Sequence, residues 1–93
     1  MPLFGGIVQP MTQLWPEGLP IEVDAVDGRP AGLRWQHRRR FVRAVTDQWL
    51  IHDGWWLDEI WRHYFEVQTA DGLLCVVYCD LLCDRWYLER VYD

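Results

Sequence analysis

From residue 21 onward the chain has no run of apolar residues at helical spacing. It is built instead of short stretches rich in β-branched and aromatic residues, each cut off by a turn signal. Ile21 to Val26 is the first stretch, and Asp27-Gly28-Arg29-Pro30 is the turn that ends it. Gly32 to Gln36 follows, with Leu33 and Trp35 alternating against Arg34 and Gln36, and then a basic turn at His37 to Arg39. In Arg40 to Trp49, residues Phe41, Val42 and Val45 depart from strict alternation, which predicts a β-bulge. Leu50 to Glu59 reads as the longest loop, after which Trp61, His63, Phe65 and Val67 fall on one face of a strand. Asp71-Gly72 between two apolar runs predicts a type I′ hairpin turn. The chain then returns over Leu73 to Asp80, turns at Leu82-Cys83-Asp84 and closes the sheet with Arg85 to Tyr92. The pattern predicts an all-β fold: a curled antiparallel meander of five or six strands, or an open small barrel. A flat sheet of this size would leave one apolar face wet.

Residues 1–20 follow a different rule. They hold four of the five prolines together with Gly5, Gly6 and Gly18, which excludes a helix or a long central strand. They are also apolar, with Leu3, Phe4, Ile7, Val8, Met11, Leu14 and Trp15 in need of cover. The expectation is an extended N-terminal arm over 1–20, packed back on the sheet or reaching a partner, and a single all-β domain over 21–93. A length of 93 residues suits one core, and seven Trp, four Tyr and three Phe supply the large side chains to fill it.

Composition removes several function classes. Ser, Asn and Lys are absent, so a serine nucleophile is excluded. A net charge of −5 opposes non-specific affinity for nucleic acid. Yet six of the nine Arg (29, 34, 38, 39, 40 and 43) fall within fifteen residues, which allows a local basic edge. Three cysteines without a secretory pattern in the first twenty residues point to a reducing, cytoplasmic setting. No segment approaches the roughly 18 apolar residues of a membrane span.

The spacing of Cys75, Cys79 and Cys83 invites a metal reading that strand geometry rejects. On one strand Cys75 and Cys79 stand about 13 Å apart, too far for a shared zinc or a disulfide. They read as small packing residues, and no metal or cofactor is expected. His37, His52 and His63 are dispersed, and only His52, in the long loop, is kept as a site candidate. Asp58 and Glu59 are neighbours on a strand and point to opposite faces, so they read as ion-pair partners for the Arg-rich strand. No convergent set for catalysis emerges, and the domain reads as non-enzymatic.

What remains is arginine beside aromatics: Arg34, Arg38, Arg39, Arg40, His52, Trp55 and Trp56 form the candidate binding surface. Trp35, Trp61 and Trp86 sit in strand alternation and are expected inside, whereas Trp55 and Trp56, adjacent in a loop, cannot both point inward. Arg and Trp are the residues of protein-interface hot spots and also of single-strand binders, so a protein partner or a nucleic acid fits, and self-association is compatible with either.

The strings GWWLDEIWRHYFEV (54–67), DGLLCVVYCDLL (71–82) and RWYLERVYD (85–93) resemble a bacterial family of small domains of unknown function. They are similar to the C-terminal end of ImuB-like proteins, inactive Y-family polymerase relatives of error-prone repair. The resemblance covers roughly residues 20–93 and implies an accessory interaction module linked to DNA damage tolerance, with no catalytic residues to carry over. Pro2-Leu3-Phe4-Gly5-Gly6 also resembles the tail of a sliding-clamp-binding peptide, although Met1 stands where that motif has Leu.

Overall fold

The computed structural model describes residues 12–55 and 58–92. They form seven strands: β1 (Thr12–Pro20), β2 (Glu22–Val26), β3 (Arg29–Trp35), β4 (Arg38–Trp55), β5 (Asp58–Thr69), β6 (Leu74–Asp80) and β7 (Arg85–Tyr92). Every neighbouring pair is antiparallel, and the order across the sheet is β1-β7-β6-β5-β4-β3-β2. The all-β antiparallel expectation holds, with one strand more than predicted. The extra strand is β1, whose residues read as the end of an arm. Pro16 and Pro20 are tolerated because β1 is an edge strand with only β7 beside it, and its ladder is interrupted between Leu14 and Leu19.

Strands β1 and β2 occupy opposite edges of the sheet, yet Ile21 alone separates them in the chain. The sheet must therefore curl until its edges face each other. Ile21 N donates to Trp86 O at 3.2 Å, and Trp15 meets Trp35 edge-on with ring centroids 6.1 Å apart. Side chains bridge the seam, and no ladder of strand hydrogen bonds closes it.

Turn chemistry follows the residues, with two corrections. Asp27 and Gly28, with φ of 53° and 77°, make the type I′ turn between β2 and β3. Between β3 and β4 the turn is Gln36-His37, φ 54° and 59°, one residue earlier than expected and without glycine. At Asp71-Gly72 only Gly72 has positive φ. Thr69 N donates to Leu73 O at 2.8 Å and Gly72 N to Thr69 O at 3.0 Å. The loop is thus the three residues Ala70 to Gly72, a turn with its left-handed glycine last, and not a two-residue type I′ turn. The Asp71 carboxylate accepts from the Thr69 hydroxyl, and Asp71 itself keeps a negative φ.

The bulge predicted in the arginine-rich strand is present twice. The β4–β5 register slips between Val42 and Ala44 and again between Val45 and Asp47. These slips set Val42, Val45 and Gln48 opposite Thr69, Val67 and Phe65, so a three-residue spacing serves one sheet face. That concave face holds the main core: Leu33, Phe65, Val67, Cys75, Val77, Leu88 and Val91, fully buried, with Trp35 and Trp86 packed against them.

The convex face carries an aromatic row. Trp49, Tyr64, Tyr78 and Tyr87 stand directly opposite one another across β4, β5, β6 and β7, with centroids 5.4, 4.9 and 5.2 Å apart. The Arg62 guanidinium lies 4.7 Å above the Tyr78 ring, and Tyr78 Oη donates to Glu17 O in the irregular part of β1. Burial pushes the Tyr78 hydroxyl up, so it stays a neutral donor.

Candidate interaction surface

The basic hairpin predicted to bind a partner is largely satisfied by its own acids. Arg39 pairs with Asp24 of β2, Arg40 Nη1 donates to Asp71 Oδ2 at 2.5 Å, and Arg38 Nη2 lies 3.8 Å from that oxygen. Arg40 also lies over Trp35, 5.4 Å from the ring centroid. The Thr69 hydroxyl, together with Arg40 and Arg38, holds the Asp71 carboxyl below the usual carboxylate range. Arg34 is exposed, opposite Glu22 and Arg39 in the ladders, and lines a shallow cleft of about 420 Å³ with Pro20, Ile21, Trp35 and His37. The structure thus gathers Arg34, Arg38, Arg39 and Arg40 into one mixed-charge cluster.

His52 is not part of that cluster. It lies on β4, stacked on Trp61 at 4.9 Å, with Nε2 3.0 Å from Glu59 Oε2. Glu59 therefore serves His52, and the acids that neutralise the arginine strand are Asp24 and Asp71. The loop expected over Leu50 to Glu59 is mostly strand: β4 continues to Trp55, which sits opposite Asp58. Cross-strand stacking of Trp49 on Tyr64 and of His52 on Trp61 gives this extension its contacts. The side chains of Trp55 and Asp58, all of Trp56 and residues 1–11 lie outside the described residues, and with them the expectation of an exposed tryptophan at 55 or 56 and the clamp-like motif.

Lengthening this hairpin creates a surface that the sequence reading missed. β3 accompanies β4 only from Arg38 to Phe41, and β6 accompanies β5 only as far as Arg62. Past Phe41, β4 is therefore, among the described residues, an edge strand with only β5 beside it, and past the Ile51–Arg62 pair β4 and β5 run on as a two-stranded ribbon. Leu50 is 57% exposed, Ile51 40%, Trp61 39% and Trp49 36%. Trp61, expected inside, is exposed because β6 ends before covering it. Three consecutive apolar residues on one strand, Trp49-Leu50-Ile51, necessarily load both faces. With no strand among the described residues on the outer side of β4 here, both faces stay partly open.

The thiols are sorted by depth. Cys75 and Cys79 lie on the concave face of β6, buried, and burial raises their thiols to about 12 and about 11. Cys83 is exposed in the turn after β6. A thiol reagent at mildly alkaline pH is expected to modify Cys83 alone in the native protein and all three thiols in denaturant. Rapid native reaction of a second cysteine would contradict the assigned burial.

Among the described residues, no helix is long and apolar enough to cross a membrane, and no group of three or more His, Cys, Asp or Glu side chains is placed to hold a metal ion. Compared with protein-family models, curated proteins and solved structures, the chain matches none.

Proposed function

We propose that this domain is a non-enzymatic protein-interaction module whose contact surface is the open edge of β4 and the β4–β5 ribbon that continues it. The supporting observation is the joint exposure of Trp49, Leu50, Ile51 and Trp61 along the open edge of β4 and the start of the β4–β5 ribbon. Trp49 with Ile51 on one face and Leu50 with Trp61 on the other pair an exposed tryptophan with an exposed aliphatic side chain, the chemistry of a binding hot spot. The ion pairs of Arg38, Arg39 and Arg40 favour this over single-strand nucleic-acid binding, since a phosphate backbone would have to displace Asp24 and Asp71. The resemblance of the three C-terminal strings to ImuB-like proteins supports placing the module in cytoplasmic damage-tolerance machinery.

The test is a photo-crosslinking residue installed at Leu50 in the native organism, with Glu22 as the control position. Adducts to protein at position 50 and not at 22 are expected. Adducts to nucleic acid alone, or none above the control, would refute the reading.

A further inference from the structure

We infer that the strand completing the open edge of β4 is β4 of a second copy of this chain, run antiparallel about a two-fold axis through Leu50. This rests on the reading of the ribbon as a contact surface and names its partner. Leu81 N donates to Trp61 O, so Trp61 directs its backbone groups toward β6 and away from β4. Its opposite residue, His52, belongs to the pair that exchanges no hydrogen bonds, and so does Gln48, two steps of alternation away. Gln48, Leu50 and His52 therefore present N–H and C=O groups to the open side. The donor of Gln48 is met there by the carboxylate of its own neighbour, Asp47 Oδ1, at 2.8 Å. No bulge interrupts β4 after Asp47, so the edge is regular, apolar and unaccompanied among the described residues.

The choice of occupant comes from self-complementarity. An isologous contact requires a surface that matches itself when rotated. Asp47-Gln48-Trp49-Leu50-Ile51-His52-Asp53 reads alike in both directions by residue class: acid, polar, apolar, apolar, apolar, polar, acid. Antiparallel pairing centred on Leu50 sets Leu50 against the second copy's Leu50, and Trp49 against its Ile51. Gln48 falls opposite the second copy's His52. The outward-facing backbone groups of Leu50 and His52 then meet partners, Gln48 N exchanges Asp47 Oδ1 for the carbonyl of the second copy's His52, and the three exposed apolar side chains cover one another. An unrelated peptide would satisfy the backbone but has no reason to match this symmetry. The one unfavourable contact is Asp47 opposite the second copy's Asp53 at each end. Salt screens that repulsion, so association strengthens as ionic strength rises, the reverse of phosphate binding.

Sedimentation of the full chain across a concentration series tests the proposal. A monomer–dimer equilibrium that tightens with salt is expected. Leu50→Lys, at a solvent-exposed position, sets two ammonium groups opposite each other and weakens association by about tenfold or more, with an unchanged circular dichroism spectrum. A second measurement keeps the register falsifiable: in a Cys83→Ala background, Leu50→Cys is expected to oxidise to a disulfide-linked dimer, and Gln36→Cys is not. Hydrogen-bonded opposite residues lie about 5.5 Å apart at Cα, within disulfide reach. A wild-type chain monomeric throughout, a dimer indifferent to Leu50→Lys, or a Leu50→Cys protein that does not crosslink would each overturn the inference. A monomer that still gives adducts to other proteins at position 50 defeats this pairing and leaves the interaction reading standing. Absence of all such adducts defeats both.

Discussion

Phe65→Ala is expected to lower the unfolding free energy by about 3–5 kcal/mol, the largest loss of any single truncation in this domain. Phe65 is completely buried in the middle of β5, opposite Gln48 on β4 and Val77 on β6. Its ring touches Trp86 and His63, with centroids 5.7 and 4.2 Å away. Collapse of the vacated space is opposed on both flanks, because around Phe65 β5 is paired on one side to Asp47, Gln48 and Trp49 of β4 and on the other to Val76, Val77 and Tyr78 of β6. His63 would also lose the ring it leans on while keeping its 3.1 Å contact with Gln48 Oε1. Urea denaturation measures the effect, and a loss under about 1 kcal/mol would mean that the concave face is not the organising core.

Gly18→Ala should cost roughly 2–4 kcal/mol, an unusual penalty for adding one methyl group in an edge strand. Two causes combine. Gly18 has φ of +80°, which disfavours any residue with a β-carbon. That β-carbon would also collide with Tyr78 Oη and stand 3.0 Å from Tyr87 Cβ. Tyr78 cannot step aside, because Tyr64 and Tyr87 flank its ring and Arg62 lies over it. Gly28→Ala supplies the comparison. Its φ is +77°, but nothing lies within 4 Å of the added atom, so it should cost only the backbone share, about 1–2 kcal/mol. Equal losses at the two positions, measured by denaturation, would show that the irregular part of β1 does not press on the tyrosine row.

The difference between these glycines marks where sequence reading reached its limit. Short-range signals were legible: alternation of Trp61, His63, Phe65 and Val67, the Asp-Gly punctuation, and the broken alternation after Phe41 all translate into local geometry through fixed strand periodicity. The conformation of Gly18 depends on Tyr78, sixty residues away in the chain, and no local pattern announces it. Strand β1 was hidden for the same reason. Its prolines argue against a strand in general, and only its position at an edge makes them harmless. The surroundings of the candidate site were hidden for a different reason. The arginines of the basic hairpin were correctly placed near one another, but their availability depended on Asp24 and Asp71, which approach only after β2 and the β5–β6 turn are in place. Trp61 has the alternation of a core residue and is exposed because a neighbouring strand stops short. Strand length relative to neighbours is not written in the alternation itself.

The single-residue step at Ile21 has a consequence for the order in which the molecule assembles. Strands β2 to β7 follow one another as a chain of hairpins, each able to zip from its own turn with little loss of chain entropy. β1 is covalently tied to β2 but hydrogen-bonded to β7, so it gains its ladder only when the far end of the meander has arrived. Until then Trp15 and Leu19 lack their places against the concave core. The latest step of folding is then the docking of the earliest described segment, and slowing that step should leave an otherwise formed sheet with its seam open.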